Sequence, residues 1–599
     1  MSEPRPARRT SRSLLVLPAA LALLTAAGCA QIPTSGPVRS GGDLRLSQGD
    51  DRVRSIGRPP RPGDPPTAIV EGFLQSSADF RSDHAVAREY LTPTAAQQWR
   101  PQRGTVVFDP TSTVPSADRS PQTVDAADLT VEVSEQGRIN EDGSFSSAQP
   151  GSTVTRSFHL VRQAGEWRIS RLADGLLLSA ADVDDAYRRV ALYFLAPSGT
   201  TVVPDLVFLP ELPGITTKVV ARLLRGPAAD LRGAVDTAFP DGTALAVNAV
   251  SVSKGLATVE LTAAARQAND EARAQLSAQL VYTLKALPDI SRVRIRAGGE
   301  DLGVTGAPVE QPLASSWQLY DPDFLSTNEP SAYYAHGGAI GSFGRGAFNP
   351  VRGSGGSGNP PLRTPAVSLD LQRLAAVSAD GTTVYVGPMA VDASMQPRVS
   401  GGDLSQPSWD RDRDLWVVDR STGDLLYLAD GARNVQVVAV PKDPGGLRPS
   451  AVSVGRDGTR VALVYGTGRD AVLKVAAIAR SATSDPSVEG GERVGLIDVH
   501  EPRPDLRAVR DVTWADATTI AVLGSLAGTD SAPFVLDPQG YRVDDIQPLT
   551  DAVTLTAAPP YAAKGPPLVA GTKDGAVFQF TSAGGWTPAG AGWSPAYPG

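Results

Sequence analysis

The chain has 599 residues, 41% of them hydrophobic, and carries 56 Lys+Arg against 64 Asp+Glu for a net charge of −8. That length and apolar content suit three or four packed domains, and the acidic balance speaks against a nucleic-acid-binding protein, whose footprint is a basic face. Cys29 is the one cysteine in the sequence, so no intramolecular disulfide can form, and domains of this size do not need one.

The N-terminus sets the cellular address. Arg5, Arg8, Arg9 and Arg12 stand against Glu3, and an apolar run from Leu14 to Ala27 follows, broken by Pro18 and Thr25. A basic start, a short apolar core and a small-residue end describe a secretory signal, and the run is too short for a span of roughly 20 residues. Cys29 stands where cleavage would fall. Ala27-Gly28-Cys29 resembles the bacterial lipobox, although Ala26 replaces the leucine usual three residues ahead. The resemblance implies that residues 1–28 are removed, that Cys29 is acylated, and that the mature chain is lipid-anchored on the extracytoplasmic side of the cell membrane. More than one acyl chain, at ~0.8 kcal/mol per buried CH₂, makes such an anchor stable. The alternative is a buried free cysteine after an ordinary signal. Starting from −8, removal of four arginines and one glutamate leaves the mature chain at −11.

Residues 29–64 read as a disordered tether, rich in Pro, Gly and Arg, as in Arg58-Pro59-Pro60-Arg61-Pro62-Gly63. A first α+β domain is expected over 65–185. Ile69, Val70, Phe73 and Leu74 share one helical face, further helices run over 83–90 and 93–99, and strands follow at 106–108, 129–133, 153–161 and 167–169. Helices followed by an antiparallel run suit a cone-shaped, NTF2-like fold.

A second α+β domain is expected over 186–310. Val190–Leu195 and Val202-Val203 read as a hairpin. Val219, Val220, Leu223 and Leu224 mark a helix ended by Gly226-Pro227. A strand covers 256–261, a longer helix places Ala272, Leu276, Leu280, Leu284 and Leu287 on one stripe, and Val293 and Ile295 alternate in a last strand. Val190-Ala191-Leu192-Tyr193-Phe194-Leu195, Leu223-Leu224-Arg225-Gly226-Pro227, Thr237-Ala238-Phe239-Pro240-Asp241-Gly242-Thr243 and Ala278-Gln279-Leu280-Val281-Tyr282-Thr283-Leu284 resemble the GerMN domain. With the lipobox, Ile32-Pro33-Thr34-Ser35-Gly36-Pro37-Val38 and the 72–99 segment, the chain resembles the LpqB family of actinobacterial lipoproteins over nearly its whole length.

Residues 311–365 read as a connector. Gly337 to Gly358 holds nine glycines in 22 residues, with no phosphate-cradling motif, and is expected to be a flexible loop. Trp317–Tyr320 reads as a strand joining a neighbouring domain. Over 366–599 a strand–turn–strand unit recurs five times, at Leu374–Val386, Pro407–Asp419, Ala451–Val464, Val512–Leu523 and Leu568–Phe580. Such repeats suggest a β-propeller of five to seven blades. The fold class is therefore multidomain: two small α+β domains followed by an all-β, propeller-like domain.

Chemistry is sparse. His84, His159, His336 and His500 fall in separate segments, without ligand spacing. No Gly-x-Ser-x-Gly elbow is present. Asp410, Asp412 and Asp414 alternate as in a calcium loop, but lack its glycine and glutamate, and read as a solvated turn. Glu211, Arg225, Trp99 and Trp167 could line pockets, with core and surface packing as the plainer reading; Trp409, Trp416 and Trp514 read as core. No catalytic, cofactor-binding or metal residue is assigned, and no enzyme activity or cofactor is expected. The LpqB resemblance implies an accessory lipoprotein of the MtrA–MtrB two-component system. Its partner would be the extracellular domain of the MtrB-type sensor histidine kinase, and its effect would fall on cell-wall and division control. The alternative is an envelope protein that binds a cell-wall glycan or peptide fragment.

Overall fold

The computed structural model describes residues 57–109, 114–117, 125–324, 331–344, 347–483, 488, 492–526, 528–559, 567–581 and 584–599. Cys29, the signal peptide and most of the tether lie outside the described residues.

Helix α1 (Pro66–Ser76) starts with Pro66 at a position whose N–H would be unpaired in any case, and it buries Ile69, Val70 and Phe73. Helix α2 is shorter than expected, Ala85–Arg88. Ser82, Asp83 and His84 have φ of 48°, 56° and 58° and cannot enter a right-handed helix. Arg88 holds that left-handed turn, donating from Nε to the Asp83 carbonyl at 2.8 Å and from Nη2 to its carboxylate at 2.7 Å. Helix α3 (Pro93–Gln98) is capped by the Thr92 side chain. These helices share one core with a sheet ordered Glu166–Arg171, Thr153–Gln163, Ala126–Ile139, Thr105–Phe108, Leu176–Ser179, the last pair parallel. In its central strand Ala127, Leu129, Val131 and Val133 are buried, the period-two pattern of a one-sided strand.

Helix α4 (Ala180–Ala186), opened by a Ser179/Asp182 capping box, leads into the hairpin Tyr187–Leu195 with Val202–Pro210. After α5 (Ile215–Leu223), helix α6 (Asp270–Lys285) links the parallel strands Leu256–Leu261 and Arg292–Ala297. Helix α6 is buried all round from Leu276 to Leu284 rather than along a single stripe. Its polar residues explain why. Gln279 accepts from the Ala238 N–H at 2.8 Å and donates to the Tyr193 carbonyl at 3.0 Å, while Thr283 accepts from the Tyr193 N–H at 2.9 Å. Among the described residues this hairpin pairs with no third strand, and side chains of the helix satisfy its edge at Tyr193.

The remainder forms, among the described residues, six four-stranded antiparallel sheets. Their leading strands are Leu362–Val367, Ser408–Trp409, Pro449–Val454, Leu506–Asp516, Ala552–Ala557 and Trp593–Ala596. Each touches the next, and the last touches the first, so the ring closes. The closing sheet combines the two ends of this region: Trp593–Ala596 pairs with Tyr333–His336, which continues into Ala339–Gly344 and Ala347–Pro350. The glycine-rich stretch expected as a flexible loop is therefore largely blade. Its glycines fit close approaches: a Cβ on Gly341 would overlap the Phe348 ring. The propeller begins inside the segment expected as a connector, and Trp317–Tyr320 is no strand but leads into a single 3-10 turn, Gln318–Tyr320. The five sequence repeats fall in five different sheets but out of phase. Asp457-Gly458 follows a first strand, whereas Asp380-Gly381 and Asp574-Gly575 follow second strands.

Candidate functional site

The described chain enters its first domain through a clip. The Arg58 carbonyl accepts from the Tyr90 hydroxyl at 2.8 Å and from Ser76 Oγ at 3.2 Å, and the Gly63 N–H donates to Glu166 at 2.9 Å. Gly72 has no side chain because a Cβ there would overlap Tyr90. Whatever pulls on the N-terminal segment thus pulls on the first domain.

Polar and aromatic groups of all three domains gather around one propeller loop, residues 537–542. Asp537 pairs with Arg189 at 2.8 Å. Gln539 donates from Nε2 to the Leu206 carbonyl at 3.0 Å, and its own carbonyl accepts from Ser147 Oγ at 3.3 Å. The Tyr541 hydroxyl donates to Asp184 at 2.8 Å, while its ring packs edge-on against Phe208 and Phe145 with centroids 4.7 and 5.1 Å away. Ser147 also donates to the Pro502 carbonyl at 2.6 Å. The first two domains are joined in turn: Arg222 donates to the Asp142 carbonyl at 2.7 Å, and the Asp142 carboxylate accepts from the Ala229 N–H at 3.1 Å. Gly540 is required at the loop's apex. Its φ is +80°, and a Cβ would overlap the Pro502 carbonyl oxygen.

Between the hairpin domain and the propeller lies a cleft lined by Leu206, Asp230, Arg460, Asp498, His500 and Gln539. Its free volume, about 20 Å³, admits one water molecule. His500 directs Nδ1 at the Asp498 carbonyl (2.9 Å) and Nε2 at the Pro538 carbonyl (3.2 Å), with the Asp498 carboxylate 3.2 Å from Nδ1. Burial alone would lower its pKa; the bonds and charge of Asp498 outweigh that and raise it to about 9. Asp230 is pushed above the usual carboxylate range by burial.

A second contact joins the segment ahead of the propeller to two of its sheets. Asp323 accepts from the Ala517 N–H at 2.9 Å, and Arg411 donates to the Pro322 carbonyl at 3.2 Å. Arg456 donates to the carbonyls of Pro598 (2.7 Å) and Ala557 (3.3 Å), tying together the C-terminal ends of three leading strands. Burial draws its guanidinium down to about 10 and holds the Asp323 carboxyl well up.

The residues singled out from sequence are not brought together. Trp99 is core, edge-on to Phe73 at 5.1 Å, and Trp167 lies under Arg162. Glu211 pairs with Arg188 at 2.5 Å, and Arg225 is exposed. Trp409, Trp416 and Trp514 are core, as read. His84 is buried against Phe80, its pKa lowered to about 4 by burial. His159 pairs with Asp128 at 2.5 Å, and His336 faces the Ala591 carbonyl at 2.8 Å. The Asp410–Asp414 turn is solvated only at Asp412, which is exposed, while Asp410 and Asp414 are buried. Arg480, 7% exposed, donates to Asp410 at 2.8 Å and to Asp414 at 3.0 Å, while Trp416 and Tyr427 complete the two carboxylates. Among the described residues, no group of three or more His, Cys, Asp or Glu side chains is arranged to hold a metal. The 537–542 loop escaped sequence reasoning: Asp-Pro-Gln-Gly-Tyr announces only a turn, and its partners lie more than 300 residues earlier.

Family models match along the chain: "Lipoprotein LpqB, N-terminal domain" over 59–184, "Sporulation and spore germination" over 191–303, and "Lipoprotein LpqB beta-propeller domain" over 338–598. Lipoprotein LpqB of Thermobifida fusca is 32% identical, with 97% of this chain and 98% of the relative covered. The chain belongs to the LpqB lipoprotein family. LpqB of Streptomyces coelicolor is 31% identical over 99% of this chain and 98% of its own. Among solved structures, a nidogen/laminin complex aligns with a TM-score of 0.30 at 11% identity, covering 43% of this chain and 90% of that one. The tandem GerMN domains of Bacillus subtilis GerM align at 0.19 and 15%, covering 26% and 59%. No helix among the described residues is long and apolar enough to cross a membrane.

Proposed function

We propose that this LpqB-family chain is a non-catalytic interaction module, anchored through acylated Cys29 on the extracytoplasmic face of the membrane. There it binds the extracellular domain of an MtrB-type sensor histidine kinase and biases the kinase between its signalling states. The observation that carries the reading is the interlock at residues 537–542, where one propeller loop holds both preceding domains. A body joined in this way presents its surfaces in fixed register, so little ordering entropy is lost on binding a protein partner. The junction cleft admits a water and not a saccharide, which favours a protein partner over a glycan at that point. Gly57 lies 28 positions past Cys29, a reach of at most ~100 Å, enough to meet a receptor domain standing off the bilayer.

Binding can shift the kinase only by as much as it prefers one state over the other. The test reconstitutes the kinase in liposomes with the lipidated chain and measures autophosphorylation. A change of twofold or more, lost with Cys29→Ser, supports the proposal; unchanged autophosphorylation at saturating chain overturns it.

A further inference from the structure

We propose that His500 is the proton-controlled catch of a latch, formed by residues 537–542, that locks the propeller to the two preceding domains. The argument begins with hydrogen-bond capacity. Both ring nitrogens of His500 face carbonyl oxygens, Asp498 at 2.9 Å and Pro538 at 3.2 Å. A carbonyl can only accept, and a neutral imidazole has one N–H, so both bonds exist together only in the imidazolium form. Loss of the proton turns a lone pair toward one of the two carbonyls. Asp498 is on the histidine's own strand, whereas Pro538 belongs to the next sheet, and the weaker, longer bond is the one to Pro538.

Pro538 stands between the residues that do the joining. Asp537 precedes it, with its ion pair to Arg189, and Gln539 and Tyr541 follow, with their bonds to Leu206 and Asp184. Repulsion at the Pro538 carbonyl therefore acts on the backbone that positions all three contacts.

The charged surroundings favour the cation in the locked state. Asp498 lies 3.2 Å from Nδ1 on the same strand. Asp230 faces the histidine from the hairpin domain, and its Oδ1 has no hydrogen-bond partner. Arg460 opposes them from two strands away in the same sheet, with its charge taken up by Asp457 at 2.7 Å. Beyond Asp230 stand Asp205 and Asp142, with Arg222 3.9 Å from Asp205. Burial and Asp230 raise Asp205 to about 7, so it is largely neutral in acid, where His500 carries its proton, and becomes charged above neutrality. The raised value of His500, about 9 against 6.5, fixes the sign: locking is complete below pH 6.5 and is lost as pH rises through 9.

Arg542 ends the loop, so trypsin can report its release. Cleavage after Arg542 in the full chain is followed by mass spectrometry from pH 7 to 9.5 and divided by cleavage of a free peptide of the same sequence. The expected ratio is small at pH 7 and rises at least tenfold by pH 9.5. In Asp498→Asn the rise moves down by one pH unit or more, because the carboxylate that holds the proton is gone; in His500→Ala the ratio is high and flat. A wild-type ratio flat across the range, or an Asp498→Asn profile that superimposes on wild type, overturns the proposal. The Asp498→Asn shift keeps the test decisive should His500→Ala fail to fold.

Discussion

Replacing Arg480 by leucine tests whether the Asp410–Asp414 turn is a buried network or a wet loop. In the native chain the guanidinium answers Asp410 and Asp414 at 2.8 and 3.0 Å, with Glu492 at 3.3 Å on the outer side. Asp410 is fully buried, and burial together with Asp414 raises it to about 7 even with Arg480 in place. Breaking a buried pair by removing one partner costs about 3–5 kcal/mol, whereas an exposed pair costs about 0–1 kcal/mol. Arg480→Leu should therefore lower the stability of the propeller by about 3–5 kcal/mol. The loss should also depend on pH. A carboxyl raised in the folded state costs nothing below its unfolded value of 3.8, and the cost grows as pH rises through 7. The deficit should thus be larger at pH 8 than at pH 5. Urea titrations of the full chain at both values, followed by tryptophan fluorescence near Trp416, read it out. A loss below about 1 kcal/mol at pH 8, the range of exposed pairs, would refute the reasoning.

Gly540→Ala places a Cβ against the Pro502 carbonyl at a φ of +80°, and should raise hydrogen exchange across 537–542 at least tenfold while leaving α6 protected. His84, buried and lowered to about 4, should make the first domain lose up to about 3 kcal/mol as pH falls from 6.5 to 4. His84→Gln should flatten that acid limb in a thermal melt. Deleting residues 593–599 removes the leading strand of the closing sheet and opens the ring, so circular dichroism should show a less cooperative propeller transition at lower temperature. Gln279→Leu leaves the Ala238 N–H and the Tyr193 carbonyl unpaired in a buried place, and should destabilise the second domain by about 1–3 kcal/mol on urea titration.

Local chemistry was legible in the sequence. The helical face of Ile69, Val70 and Phe73, the period-two run of Leu129 to Val133 and the Leu256–Leu261 strand are all set by neighbours within a few residues. Closure of the propeller was not, because its sixth sheet joins Tyr333–His336 to Trp593–Ala596 and leaves no contiguous repeat to see. Alternation of aspartates at 410, 412 and 414 suggested water because the neutralising Arg480 lies far along the chain. A stripe of leucines on α6 was visible, but Gln279 and Thr283 look like a polar face until the bare edge of the hairpin is known. The junction illustrates the same limit: Tyr541 and Asp184 are 357 residues apart, and nothing near either one announces the other.

The most direct measurement is binding of the mature, lipidated chain in detergent to the purified extracellular domain of an MtrB-type kinase, by calorimetry. Saturable binding at one-to-one stoichiometry, weakened at least tenfold by Gly540→Ala, is the predicted result. No heat and no co-elution at concentrations up to 100 times those expected in the envelope would contradict it.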